Sequence, residues 1–374
     1  MKKTLNAAVA LSVFAAPAYA ANLENPLYMP KQNEIYSKTS VGVMYKVADD
    51  TTAMVKKGHD GATEFPIWRL HEDLGYGITD RLEAYAKVGY THDGDIDRKG
   101  MHQGRVGLKY RAFEADGFAW DVYADAHLGG VSGMSGSYAN DGFTYDNYSN
   151  GRWGFHAGTQ VGNTWSNFTA AAFFEVLQTF GNDNNEIDVT GYKVADVLPI
   201  TKLGFPDEIS VELKSTTEFN AGLKTFYQIN DRWSIGAGFT FKHHEDNGVE
   251  GLAFNVGSVA EDAVTKAATM GYMVANNIED FAAAYATVSG LPAEMQSSIA
   301  TKFQQGVKDE LLATVEDMND GFDEYIISLS GSYQLTDATQ ITLYGEYTFD
   351  DAHQMSQNGT DVKAEIGARV NVVF

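Results

Sequence analysis

The sequence predicts an all-β protein, a transmembrane antiparallel up-and-down β-barrel of about 12 strands with one inserted α-helical hairpin. Three patterns predict this fold: a two-residue hydrophobic period that recurs along the chain, connections that alternate between short and long, and a change to a helical period between residues 258 and 318. The chain has 374 residues and no cysteine, which excludes a disulfide scaffold and a cysteine-ligated metal site.

The first twenty residues predict a secretory signal peptide. Lys2 and Lys3 give a basic start, residues 5–16 are mostly apolar, and residues 18–20 form a small-x-small cleavage site. We expect residues 21–37 to be a periplasmic N-terminal segment and residues 38–374 to form the barrel. Removing the two lysines from the 27 basic residues leaves 25 against 50 acidic ones, a net charge of −25, and this acidity argues against a nucleic-acid partner.

The two-residue period is plain in residues 82–90. Leu82 and Val88 lie on one face of this run, and Glu83 and Lys87 lie on the other, which fits only a strand. Similar runs predict twelve strands at about residues 38–48, 63–76, 82–90, 105–112, 120–128, 151–162, 166–180, 214–228, 232–244, 322–335, 339–350 and 361–374.

The connections between these runs alternate in length. The short ones cover residues 77–80, 114–117, 162–164, 229–231 and 335–337. The long ones cover residues 49–62, 91–101, 131–150, 181–213, 245–321 and 351–360. Outer-membrane barrels have short periplasmic turns and long outer loops, so this alternation predicts that both termini lie on the periplasmic side.

A secreted β-sandwich is the soluble alternative, because its strands also alternate apolar and polar residues. A sandwich gives no reason for a strict alternation of short and long connections. Its inner faces would also be polar here, whereas a membrane barrel turns the apolar face to lipid and needs no dry core.

The end of the chain carries the strongest resemblance to a known family. Residues 364–374 alternate apolar side chains up to the terminal Phe374, and Gly367, Val370 and Val372 belong to a glycine-then-apolar core. This resembles the assembly signal of the Gram-negative outer-membrane β-barrel (porin-like) family, although here the core ends two residues early. Because two residues preserve the strand face, we expect the signal to work.

The resemblance covers nearly everything from residue 38 to residue 374. It implies a location in the cell outer membrane after secretion across the inner membrane. The implied partners are outer-membrane lipid, lipopolysaccharide and the barrel-assembly machinery. The chain could be a monomer or a homo-oligomer such as a trimer.

The alternation places equal numbers of basic and acidic side chains inside the barrel, so the wall is polar but electrically balanced. The predicted pore-lining residues are Glu83, Lys87, Arg105, Lys109, Arg111, Asp121 and Asp125. Basic residues on the fourth strand face acidic residues on the fifth, which could create a transverse field at a constriction. Alternatively, these neighbours pair across the strands and brace the lumen.

Residues 258–318 predict a helical hairpin inserted between the ninth and tenth strands. One apolar stripe runs from Val259 to Val288 and a second from Met295 to Met318, with Gly290 between them. The hairpin could plug the lumen, cap the outer mouth or project as a binding module. We expect the two stripes to pack on each other.

A lipid hydrolase is the enzymatic alternative. Residues 147–152 resemble the serine segment of outer-membrane phospholipase A, but Asn147 stands where that family has its catalytic histidine, and only the distant His156 could activate Ser149. The sequence therefore predicts no catalytic, metal or cofactor site. It predicts a porin-like channel for passive diffusion of ions or small polar solutes, with a surface adhesin or binding protein as the other alternative.

Overall fold

Twelve antiparallel strands close into a barrel in this computed structural model. The structure describes residues 22–47, 67–93, 98–128, 134–138, 143–145, 153–188, 193–194, 198–203, 205, 208–245, 249–253, 261–317, 322–350 and 361–374. The wall strands are β1 (Ile35–Val47), β2 (Ile67–Thr79), β3 (Leu82–Asp93), β4 (Arg98–Ala115), β5 (Phe118–His127), β6 (Gly154–Trp165), β7 (Phe168–Thr179), β8 (Thr216–Gln228), β9 (Trp233–His244), β10 (Phe322–Thr336), β11 (Thr339–Asp350) and β12 (Asp361–Val373). Each strand pairs with its neighbours in the chain, and β1 pairs with β12 to close the cylinder.

The predicted strands are confirmed, but several of their ends differ. Strand β2 runs on to Thr79 and β6 to Trp165, so the short turns predicted at residues 77–80 and 162–164 lie instead at residues 80–81 and 166–167. Strand β1 begins at Ile35 rather than at residue 38, because Tyr36 pairs with Val373 on one side and with Gly75 on the other. The long connection predicted at residues 91–101 is wrong, since Thr91 pairs with Gly100 and extends the β3–β4 ladder. The described residues 91–93 and 98–101 continue the strands.

The short connections all lie at one end of the barrel. The turns after β4 and β6 are tight, with Asp116 at φ 52° and Ser166 at φ 56°. The start of β1 and the end of β12 meet there, because the Ile35 amide donates to the Phe374 carbonyl. We call this the short-turn end of the barrel.

The outer face of the wall carries exposed apolar and aromatic side chains. Leu108, Leu329 and Ile366 are 51–63% exposed, as a surface that faces lipid requires. Glu72 interrupts this band on β2. Ser37 and Thr39 of β1 donate hydrogen bonds to its carboxylate, at 2.6 Å for Ser37, and so satisfy part of its need for donors.

The last strand has the outward pattern expected of the assembly signal up to Val370, which is 42% exposed. Val372, in contrast, is only 6% exposed. On the inner face, a side chain at Gly367 would overlap the ring of Tyr344.

Five further strands extend the wall at its long-loop end. They are Met134–Tyr138, Phe143–Tyr145, Asn182–Asp188, Glu208–Leu213 and Val249–Ala253, and they pair in that order into one sheet. Residues Met134 and Ser135 also pair with β4, which joins this extension sheet to the wall.

The inserted segment forms three helices, α1 (Glu261–Asn276), α2 (Phe281–Ser289) and α3 (Ala293–Asp317). Asn277, at φ 52°, ends α1, and the Asp280 side chain caps α2 by accepting from the Ala283 amide. The predicted first arm is therefore two helices, because this break restarts the helical phase and leaves Val274 68% exposed. None of these helices is long and apolar enough to cross a membrane.

The three helices pack on one another, as the apolar stripes predict. Their buried core contains Ala267, Met270, Val288, Ala300 and Val307. Their main other contacts are with the extension strand Val249–Ala253 and with a 3₁₀ turn at Ile200–Leu203. The helices therefore lie on the extension sheet at the long-loop end, not inside the described part of the wall.

A repeated arrangement of tyrosine, glycine and carboxylate fixes the inner wall. A tyrosine ring lies over a glycine of the next strand, where a Cβ would overlap it, and its hydroxyl donates to a carboxylate one strand further on. The sets are Tyr36, Gly75 and Glu83 on β1–β3; Tyr85, Gly107 and Asp125 on β3–β5; and Tyr123, Gly158 and Glu175 on β5–β7. Each set ties three neighbouring strands together.

A Gly158→Ala substitution tests this arrangement. The new methyl group would stand 2.5 Å from the Tyr123 ring, so the ring must move away from the wall. Overpacking of this kind should lower the free energy of unfolding in detergent or vesicles by about 1–3 kcal/mol. Gly331→Ala is the matched control, since a Cβ there meets nothing within 4 Å. Equal unfolding midpoints in urea for the two variants would contradict the role given to the ring.

Candidate functional site in the barrel lumen

The seven predicted pore-lining residues lie on the inner face of three adjacent strands. Glu83 and Lys87 belong to β3, the three basic residues to β4, and Asp121 and Asp125 to β5. The residues that alternate with them, such as Val106 and Leu108, are exposed on the outer face. The structure therefore brings all seven to the wall of the lumen.

The basic residues of β4 are paired with the acidic residues of β5. Arg111 binds both oxygens of Asp121, at 2.6 and 3.2 Å, and Lys109 lies 3.5 Å from the same carboxylate. Arg105 binds both oxygens of Asp125, at 2.7 and 2.8 Å. Both aspartate side chains are fully buried, so these groups brace the wall rather than line open space.

The network around Asp125 continues to β7 through a histidine. His156 Nδ1 lies 2.8 Å from Asp125 Oδ2, and His156 Nε2 lies 3.6 Å from Glu175 Oε2. Tyr123 donates to Glu175 at 2.6 Å. His156 is thus held between two carboxylates and does not approach a serine in the described part of the chain; Ser149 lies outside the described residues.

A second polar network covers the opposite side of the lumen. Glu365 accepts from Tyr344 at 3.0 Å and from Arg69 at 3.5 Å. Nearer the long-loop end, His244 lies between Glu218 and Glu324, at 3.1 and 3.2 Å. Arg69 and His244 therefore have carboxylate partners within the wall, like the basic residues of β4.

The N-terminal segment, residues 22–34, lies inside the short-turn end of the barrel. Its backbone carbonyls accept from four inward side chains, which belong to β1, β4 and β6. The contacts are Lys38 Nζ to Leu23 O at 2.8 Å, Gln160 Nε2 to Pro26 O at 2.5 Å, Arg111 Nη2 to Leu27 O at 2.6 Å and Lys109 Nζ to Tyr28 O at 2.9 Å.

Side chains of the N-terminal segment reach further strands. Asn22 lies between Gln228 of β8, at 2.8 Å, and Gln340 of β11, at 3.0 Å. Asn25 donates to Thr169 of β7 at 3.2 Å. With these contacts the segment spans the lumen from one side of the wall to the other.

Glu24 makes an ionic contact with the wall. Arg369 donates to both of its oxygens at 3.1 Å, and Asn371 donates at 2.7 Å. Burial alone would raise the pKa of Glu24, but the charges of Arg369 and Lys38 and the hydrogen bonds from Asn371 and Arg369 outweigh it, so the pKa lies below its usual value.

Two leucines anchor the N-terminal segment by apolar contacts. Leu23 packs with Tyr36 and Val373, and Leu27 packs with Ala119 and Ala171. Both leucines are at most 8% exposed. The segment expected in the periplasm therefore lies in the lumen across residues 22–34, because the lumen supplies both its apolar contacts and its hydrogen-bond donors.

No protein-family model matches the sequence, and no curated protein is similar to it. An outer membrane channel from Pseudomonas putida F1 superposes with a TM-score of 0.50 at 11% identity, over 94% of this chain and 98% of that one. The toluene transporter TodX of Pseudomonas putida gives a TM-score of 0.41 at 10% identity, over 95% of this chain and 91% of that one. The NanC porin gives 0.39 at 9% identity, over 90% of this chain and 98% of that one. These structures are outer-membrane β-barrels, and the first shares the fold of this chain.

The lowered pKa of Glu24 predicts how acid affects the N-terminal segment. A carboxylate with a lowered pKa stabilises the bound segment above its usual pKa of 4.5, and this contribution is lost as the pH falls through the lowered value. A spin label on Pro26→Cys, two residues from Glu24 and in a chain without other cysteines, should stay immobile from pH 7 to about pH 5 and become mobile in stronger acid.

Glu24→Gln is the control for this experiment, because it removes the charge and keeps the shape. In that variant the label should already be more mobile at pH 7, and the part of the acid transition due to Glu24 should be absent. Identical pH profiles for the two proteins would show that the carboxylate does not hold the segment.

Proposed function

We propose that this protein is an outer-membrane channel for the passive diffusion of ions or small polar solutes. The observation that supports the proposal is a closed barrel with an apolar outer face and hydrogen-bonded polar side chains inside, such as Tyr36 with Glu83 and Tyr344 with Glu365. A wall of polar side chains, most of them paired with one another, keeps the lumen hydrophilic, as a path for hydrated solutes requires.

The size of the barrel sets the class of solute. Twelve strands about 4.8 Å apart and tilted by about 40° close at a backbone radius of roughly 12 Å, and inward side chains take up about half of it. The N-terminal segment narrows the lumen further at the short-turn end. Ions and small polar solutes fit such a path, whereas folded proteins do not.

The proposal includes no covalent step. Both ring nitrogens of His156 face carboxylates, so this histidine orders the wall and is not placed as the base of a hydrolase. The proposed location is the outer membrane, with lipid, lipopolysaccharide and the barrel-assembly machinery as partners. Gly367, Val370, Val372 and Phe374 are the residues that we propose the assembly machinery recognises.

Deletion of residues 22–31 tests the channel and the position of its constriction. The purified wild-type protein in a planar bilayer should show discrete open levels of small conductance. The deletion should raise the level several-fold, because the chain that spans the short-turn end is gone. Leu27→Asp is a milder variant that puts a charge into the cluster with Ala119 and Ala171, and it should raise the conductance in the same direction.

The matched control is deletion of residues 261–317, joined by a short linker. These helices lie on the extension sheet, so their removal should leave the open level unchanged. Folding of the wild type and of the three variants is checked by their heat-dependent mobility in gels. If all four proteins are folded and none of them conducts in the bilayer, the proposed channel is refuted. A larger conductance after loss of the helices alone would place the constriction at the long-loop end.

A further inference from the structure

Most cations of the described luminal wall have a partner, which makes the exceptions informative. Arginine and lysine side chains are paired with carboxylates or with carbonyls of the N-terminal segment. The pairs are Lys38 with Leu23 O, Arg69 with Glu365, Arg105 with Asp125, Lys109 and Arg111 with Asp121, Lys242 with Glu324, and Arg369 with Glu24. Lys87 and Lys224 have no carboxylate of the described side chains within ion-pair distance.

Each of these two lysines lies over an aromatic ring instead. Lys87 Nζ is 5.4 Å from the centre of the Tyr85 ring, and Lys224 Nζ is 4.5 Å from the centre of the Phe173 ring. A ring face stabilises an ammonium group less than a carboxylate does and leaves its three donors open. Lys224 is exposed to the lumen and Lys87 is half-buried.

The wall places the two lysines at one level and on opposite sides. Lys87 lies five residues from the short-turn end of β3, and Lys224 lies four residues from the short-turn end of β8. Strands β3 and β8 are five strands apart in the ring of twelve, so the side chains point toward each other. Lys224 lies within electrostatic range of Lys87 and of Lys109, whose ammonium group holds the N-terminal segment.

The neighbouring carboxylates are engaged elsewhere. Asp125 is occupied by Arg105, and Glu175 accepts from Tyr123 and lies beside His156, so it attracts Lys224 only from beyond ion-pair distance. Asp73 is the cross-strand partner of Lys87, and its carboxylate stays beyond ion-pair distance. Two cations thus face the lumen at the border of the N-terminal segment with part of their charge uncompensated.

We infer that Lys87 and Lys224 form a binding site for a small oxyanion in the lumen, on the path through the proposed channel. The inference rests on the proposed function for its biological setting but not for its test. It names the class of solute that the channel favours. The balanced charge of the whole wall does not decide selectivity here, because the paired groups cancel locally and these two do not.

The type of cation defines the ligand chemistry. Lysine is a point charge with rotatable donors, whereas the fork of arginine selects planar, bidentate partners. The site should therefore accept phosphate and carboxylate groups alike. Because two charges face each other across the lumen, a dianion should bind more tightly than a monoanion.

The test measures binding without requiring transport. Purified full-length protein in detergent at pH 8 is titrated with inorganic phosphate and followed by broadening of the phosphorus NMR signal. Wild-type protein should broaden the signal saturably, succinate should compete, and acetate should compete more weakly. Lys87→Gln together with Lys224→Gln should raise the dissociation constant at least about tenfold, the usual loss for hydrogen bonds to charged groups.

Two further variants make the result specific. Lys242→Gln removes one luminal charge that is paired with Glu324, 3.8 Å away, so it should leave phosphate binding nearly unchanged. Asp73→Asn removes the carboxylate opposite Lys87 and should tighten binding. An equal loss in Lys242→Gln and in the double variant would show a diffuse charge effect and overturn the site.

Bilayer recordings on the same proteins separate this inference from the proposed function. Under a potassium chloride gradient, the double variant should shift the reversal potential toward cation selectivity relative to the wild type. Phosphate binding without conductance would support the site and count against the channel. Conductance without phosphate binding and without a shift would support the channel and overturn the site.

Discussion

Ionic groups inside a narrow cylinder must be satisfied by other groups of the same cylinder, and this constraint organises the molecule. Asp121 and Asp125 have no exposed side-chain surface, so each needs a cation in contact. The β4 arginines supply it through bidentate contacts across one strand pair. Removing one partner would leave a buried charge alone, which is the costly case.

The N-terminal segment supplies partners for charged groups that the wall alone does not satisfy. Arg111 has donors beyond those that Asp121 uses, and the Leu27 carbonyl accepts one of them. Arg369 would lack a carboxylate at ion-pair distance without Glu24. The segment is therefore both a ligand of the wall and an obstacle in the lumen, and the same hydrogen bonds produce both effects.

Local pattern predicted the wall well because its determinants are local. The two-residue period fixes which face of a strand is apolar. The turns are also marked within a few residues, for example at Asp116 and Gly117 and between Thr336 and Thr339. The pairing of Arg111 with Asp121 follows from the register of the β4–β5 hairpin. Pairing across these strands is one of the two interpretations that the sequence allows.

The N-terminal segment could not be predicted in the same way. Residues 22–34 have no hydrophobic period, and Glu24 meets Arg369 across 345 positions of sequence. The packing of Tyr85 and Tyr123 over glycines could not be predicted either, because a single glycine in a strand is equally consistent with curvature. Lys87 was correctly placed inside, but its lack of a partner becomes visible only when every neighbouring carboxylate has been assigned.

The distribution of contacts along the N-terminal segment indicates how a solute path and a bound segment coexist. Near residue 33 the backbone is tied to β2, since the Asn33 amide donates to the Gly77 carbonyl and the Gly77 amide donates to the Glu34 carbonyl. Farther in, four carbonyls meet long side chains of β1, β4 and β6, and Leu23 and Leu27 add apolar contacts. These are contacts of side chains, so the segment can shift without any change in the backbone pairing of the wall. Lys87 and Lys224 lie at its inner border, where an anion would bind beside the carbonyl groups that Lys109 and Arg111 hold.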